Sequence, residues 1–206
     1  ALASALARAG RACITGYTTS PDQPATGAFP TTPNAFQTTY RQGGSDGFIA
    51  RLNNTGSALD YGTYAGAFAP PFPPPPGDFG FDIGVDRDDN MYIVGQTEGP
   101  DFPTTAGTLQ PNYGGSTTDG FAVRVSSAGI VDYSTFVGGN AGDSVNGIAV
   151  DDIGNSFLVG STGSVNFPLV AGSFDTAVQG SDAFVSKLVP SGTSFDYSTV
   201  IGGSAG

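Results

Sequence analysis

Asp86-Arg87-Asp88-Asp89-Asn90 is the segment whose residue types and spacing come nearest to a working site. Asp86, Asp88 and Asn90 offer oxygen ligands at alternate positions, as a hard cation such as calcium requires. The segment lacks the following glycine and the distant bidentate glutamate of an EF-hand. In the equivalent stretch further on, only Asp151 and Asn155 remain. The competing reading is an ordinary acidic hairpin turn. Calcium is thus the one cofactor kept open, with Asp86, Asp88 and Asn90 as its candidate ligands; no other cofactor is expected.

Catalysis has less to work with. The chain has no histidine, which excludes Ser-His-Asp and Cys-His nucleophilic chemistry and histidine-ligated zinc or iron. Glycoside hydrolysis needs two carboxylates, one with a raised pKa. Aspartates are plentiful, but they recur in register as Asp46/Asp119/Asp182, Asp60/Asp132/Asp196, Asp78/Asp143 and Asp86/Asp151. Recurrence favours turn capping, because an Asp carboxylate accepts backbone N–H bonds in tight turns. A sialidase-like Asp box would need tryptophan, and there is none. Arg51, Arg124 and Lys187 are also equivalent to one another, so they predict no convergent cationic cluster. The expectation is a protein that is not an enzyme and has no catalytic residue.

Charge and composition narrow the partners. Seven basic residues against eighteen acidic ones leave a formal charge of −11, which argues against nucleic acid. An acidic surface rich in Gly, Ser and Thr and poor in Lys fits an exported protein. Cys13 is the only cysteine, so no intrachain disulfide or cysteine metal cluster can form; it is expected as a small buried hydrophobe. No apolar run reaches the length of a transmembrane helix. The opening Ala1-Leu2-Ala3-Ser4-Ala5 resembles the end of a signal peptide but has no basic start or long apolar centre. With no initiator Met, it is expected to belong to a processed or longer chain. Asn53-Asn54-Thr55 is a glycosylation sequon in an expected turn, and Ser116-Thr117-Thr118 could carry O-linked sugars.

The elements that must position these residues come in three copies of roughly 65 residues each. The phrase Phe29-Pro30-Thr31-Thr32 returns as Phe102-Pro103-Thr104-Thr105 and as Phe167-Pro168; Asp46-Gly47-Phe48 returns as Asp119-Gly120-Phe121 and Asp182-Ala183-Phe184. Asp60-Tyr61-Gly62-Thr63 returns as Asp132-Tyr133-Ser134-Thr135 and Asp196-Tyr197-Ser198-Thr199, the last two followed by a Gly-Gly pair. In the third copy, strands are predicted over Gly147–Asp151, Ser156–Ser161, Ala183–Leu188 and Phe195–Ile201; in the second, over Ile83–Asp86 and Met91–Gly95. Four short antiparallel strands per copy, joined by Gly/Asn/Asp turns, predict an all-β, β-propeller-like fold of three four-stranded blades. The chain reads as a single repeat domain, 1–206, with blades near 1–77, 78–142 and 143–206. In the first copy, propensity favours a helix over Ala1–Ala9 ending at Gly10, whereas the register favours a strand, which is preferred. A proline-rich insertion at 67–77 predicts a stiff surface loop, a linker or a contact site.

These phrases, preceded by Asp-x-x-Gly-Asn as in Asp151 to Asn155, resemble the SBBP-type bacterial β-propeller repeat, a relative of the NHL repeats. Copy one departs from the pattern where Ala7 and Arg11 replace the Asp and Asn. The resemblance implies a propeller in large exported bacterial or archaeal surface proteins, and no shared catalytic residues. Three blades leave two open edges, to be completed by further blades of a longer chain, by a ring of chains or by a fibre. The function expected is an exported structural or adhesive protein of the cell surface that self-assembles, its partners being copies of itself or further blades. The alternative is a carbohydrate- or protein-binding propeller using Tyr40, Phe72 or Tyr113, with a polysaccharide-active enzyme behind it.

Overall fold

In the computed structural model, residues 2–21, 27–41, 44–68, 77–115 and 117–203 are described. The first blade comprises β1 (Ala3–Leu6), β2 (Ala12–Thr18), β3 (Asp46–Leu52) and β4 (Leu59–Ala65). The second comprises β5 (Phe79–Val85), β6 (Met91–Thr97), β7 (Asp119–Val125) and β8 (Val131–Val137). The third comprises β9 (Asp143–Val150), β10 (Ser156–Thr162), β11 (Asp182–Leu188) and β12 (Phe195–Ile201). Each blade is a four-stranded antiparallel meander in chain order. No α-helix occurs among the described residues. The alanine-rich start is a strand: Ala3–Leu6 pairs with Ala12–Thr15, and only a 3₁₀ turn at Arg8–Gly10 remains of the helical preference. Pairing to a preformed neighbour outweighs propensity differences of a few tenths of a kcal/mol per residue.

The repeated phrases are packing partners of one another. A glycine on the second strand lies opposite a phenylalanine on the third: Gly16 with Phe48, Gly95 with Phe121, Gly160 with Phe184. The Phe of each Phe-Pro packs on that ring, Phe29 on Phe48, Phe102 on Phe121 and Phe167 on Phe184, with centroids 5.0, 4.6 and 4.6 Å apart; the second pair is stacked and the other two are tilted. The loop between second and third strands then runs beside the fourth. The Gln37, Gln110 and Asp175 N–H groups donate to the hydroxyls of Thr63, Thr135 and Thr199 at 2.8–2.9 Å.

The blades stack face to face. β5 packs on the first blade, and β9 packs on β5, β6 and β7 of the second. Strand alternation sends neighbouring residues of the central blade into two different cores. Ile93 and Val123 join Ile49, Tyr61 and buried Cys13, whereas Val94 and Ala122 join Val145 and Leu158. Residues 69–76 of the proline-rich insertion lie outside the described residues, and with them Phe72.

Candidate functional site

Connections between second and third strands, and between successive blades, cross one end of the array; the tight hairpins cross the other. Loops held on a rigid sheet scaffold are where binding groups concentrate. At the loop end Arg41 is the single base among the described residues, set among acids.

Two of those acids meet at each blade junction. Asp78 donates its N–H to the carbonyl of Ser45, and Asp143 donates to that of Thr118, both at 2.9 Å. The first-strand aspartate is thereby placed beside the third-strand aspartate of the preceding blade, Asp46 or Asp119. One oxygen of each carboxylate is satisfied: Asp46 Oδ2 accepts the Arg41 N–H (2.9 Å), Asp119 Oδ2 that of Gly114 (2.7 Å), Asp78 Oδ2 that of Ala67 (2.8 Å) and Asp143 Oδ2 that of Gly139 (2.7 Å). All four Oδ1 atoms are buried with no hydrogen-bond partner. A Cβ added at Gly138 would lie 2.8 Å from Asp119 Oδ1 and 2.9 Å from Asp143 Oδ2, so this member of the Gly-Gly pair leaves room for the acids. Burial pushes Asp46 and Asp119 up to about 6 and Asp78 up to about 8; hydrogen bonds oppose the shift at all three.

Beside Asp46 lies a cavity of about 350 Å³ lined by Phe36, Gln37, Thr38, Thr39, Arg41 and, from the second blade, Pro103. Gln37 fixes its rim: Nε2 donates to the Thr39 carbonyl at 2.9 Å, and Oε1 accepts the Gly66 N–H at 3.1 Å. The Arg41 N–H makes the same capping bond as that of Gly114 in blade two and Gln179 in blade three, so only its side chain breaks the repeat. Its Nε is buried without a hydrogen-bond partner.

The hairpin end carries the repeat-equivalent cations, which reach forward rather than converge. Arg51 Nη2 donates to the Ser127 carbonyl of the second blade at 2.9 Å, and Arg124 Nη1 to the Pro190 carbonyl of the third at 3.2 Å. Arg124 also lies over the Tyr92 ring (5.4 Å) and 3.4 Å from Asp132. Lys187 turns back to Asp196 at 2.7 Å within its own blade. Asp132 and Asp196 are therefore cross-strand ion-pair partners rather than the turn caps expected from their recurrence. Arg124→Ala is expected to lose about 2 kcal/mol in urea denaturation, since it removes an inter-blade hydrogen bond and a cation–π contact. Lys187→Ala, an exposed pair within one blade, is expected to change stability far less.

The structure brings Asp86 and Asn90 together and leaves Asp88 apart. Asp86 Oδ1 accepts the Asp88 and Asn90 N–H groups at 2.9 and 3.0 Å, while Oδ2 accepts Asn90 Nδ2 and the Tyr92 hydroxyl at 2.8 and 2.9 Å. These bonds outweigh partial burial and hold the Asp86 carboxyl below its ordinary value. Asn90 Oδ1 accepts the Ser127 N–H, and Asp88 faces solvent beside Arg87. Asp151 repeats the cap with Ile153 and Asn155. Asp89 has a left-handed φ of 63° where the third blade has Gly154; its carboxylate binds the Arg8 N–H and the Arg11 guanidinium of the first blade. Among the described residues, no group of three or more acidic, thiol or imidazole side chains is placed to hold a metal ion.

Of the residues expected to bind ligand, Tyr40 packs toward Tyr64 with centroids 5.9 Å apart, and Tyr113 stands edge-on to Phe136 at 5.6 Å. Sequence reasoning passed over Arg41. Its signal was there: counting four residues on from Gln37, Gln110 and Asp175 gives Arg41, Gly114 and Gln179, one charge among neutral equivalents. Asn53 Oδ1 accepts the Ser57 N–H, so the sequon sits in a hydrogen-bonded turn. No helix among the described residues is long and apolar enough to cross a membrane.

Residues 132–168 match the family model of the SBBP beta-propeller repeat. The stretch runs from within β8 through β9 and β10 to the Phe-Pro of the third copy, which bears out the propeller-repeat resemblance there. A search among curated proteins finds no match.

Proposed function

We propose that this chain is an exported, non-enzymatic structural protein of the cell surface, which assembles by stacking the third blade of one copy on the first blade of the next. One observation carries the reading. In the first two blades, the face turned toward the following blade is sealed: Tyr61 and Ala65 of the first are 0% and 1% exposed, and Val94, Tyr133 and Val137 of the second are 0%, 1% and 0%. Their equivalents on the third blade, Val159, Tyr197 and Ile201, are 45%, 37% and 57% exposed. The complementary surface stands open on the first blade. Leu6 occupies the place of Val150, which packs against Gly84 of the preceding blade, and is 75% exposed. Continuity of the repeat makes a second copy's β1 face the occupant that fits, in a heterologous contact that propagates or closes into a ring. The buried carboxylates at the junctions serve packing in this reading, not turnover.

Sedimentation velocity over a concentration series tests it. The wild-type chain is expected to form oligomers, and Leu6→Asp or Ile201→Asp alone to prevent chain growth. Mixing the two variants leaves one intact pair of faces, so a 1:1 complex that grows no further is the expected product. A wild-type chain that stays monomeric at about 100 μM, well above the micromolar range of ordinary specific interfaces, overturns the proposal.

A further inference from the structure

We propose that the cavity between the β2–β3 loop and Pro103 binds a carboxylate-bearing sugar, a single hexuronate unit, with Arg41 as the group that selects the acid. Its volume of about 350 Å³ lies at the small end of the range for ligand pockets. The lining combines the apolar residues Phe36 and Pro103 with the hydroxyl-bearing Thr38 and Thr39. That mixture matches a pyranose ring, which has apolar faces and a hydroxylated edge.

The charge selects further. Arg41 has no hydrogen-bonded partner for its buried Nε, while its N–H already makes the cap that blades two and three make with Gly114 and Gln179. The side chain is therefore not needed for the cap, and an unpaired guanidinium nitrogen out of water calls for an acceptor. A planar guanidinium pairs bidentately with a carboxylate. Asp46, which shares the electrostatic reach of Arg41, disfavours a doubly charged phosphate more than a singly charged carboxylate. The rim is preformed, because Gln37 is bonded through Nε2 and Oε1, and its main chain to Thr63. Little ordering is left for the ligand to bring about.

Titration of the whole chain with sodium glucuronate, glucose and inorganic phosphate, read by amide chemical shifts and calorimetry, tests this. Saturable binding of glucuronate, with glucose at least about tenfold weaker, is expected from the loss of one charge-assisted pair. Arg41→Gly and Arg41→Gln, which install the residues of blades two and three, should both abolish glucuronate saturation and leave the melting temperature unchanged. Equal affinity for glucose, tighter binding of phosphate, no saturation by about 10 mM glucuronate, or retained binding in both variants overturns the assignment.

Discussion

Gly95→Ala is expected to destabilise the chain by about 3 kcal/mol or more, lowering the melting temperature by roughly 6–12 °C. A methyl at this position would run into the carbonyl oxygen of Phe79 and lie 2.7 Å from the tip of the Phe121 ring. The ring could turn, but it is fully buried and stacked on Phe102. The carbonyl cannot, since it belongs to the first strand beside the bulge between Gly80 and Asp82. The companion Phe121→Leu therefore should not rescue Gly95→Ala, which separates a backbone clash from a side-chain one. Gly160→Ala is expected to behave alike, because its methyl would meet the Ser144 carbonyl and the Phe184 ring. Urea denaturation of the three variants measures the effect; a loss under about 1 kcal/mol for Gly95→Ala would mean that the first strand can move away.

That geometry also explains which parts of the fold could be read beforehand. Strands with clean alternation and turn residues at both ends were legible nearly to the residue: Phe195–Ile201 is predicted and found, and Ala183–Leu188 begins one residue early, at Asp182. First strands were underestimated. β9 starts at Asp143 rather than Gly147, and β5 at Phe79 rather than Ile83, because a bulge breaks the alternation in the middle of each. Asp86 reads from the sequence as either a calcium ligand or a turn residue, and its hydrogen bonds show the turn use. The ion pairing of Asp132 and Asp196 was not legible, because a recurring position has no direction until the neighbouring strand is placed. Arg41 was hidden for a related reason. Its cavity is closed by Pro103 of the next blade, about 60 residues away along the chain, which no local pattern encodes. The number of blades predicts two open edges, whereas the exposure of Leu6, Val159, Tyr197 and Ile201 lies on blade faces, which depends on how the blades stack.

The junction acids give the second large effect, a stability that falls as pH rises. In the folded chain Asp78 holds its proton up to about pH 8 and Asp46 and Asp119 up to about 6, against an ordinary carboxyl near 3.8. Between the unfolded and folded values the folded state binds more protons, so raising the pH draws the equilibrium toward the unfolded chain. The loss runs from about pH 4 to 6 for Asp46 and Asp119 and continues to about 8 for Asp78. Asp86 and Asp151 act in the opposite sense: their carboxyls are held below the ordinary value, so their contribution is present above it and disappears in stronger acid. Stability is therefore expected to peak near pH 4–5. Asp78→Asn mimics the protonated acid, keeps an acceptor for the Ala67 N–H, and should exceed the wild type by on the order of 3 kcal/mol near pH 8 while flattening the decline. Asp119→Asn should flatten only the part below about pH 6. Urea midpoints across this range decide the matter. If the wild type instead gains stability with pH and loses it to a chelator, the unpartnered Oδ1 atoms hold a cation rather than a proton.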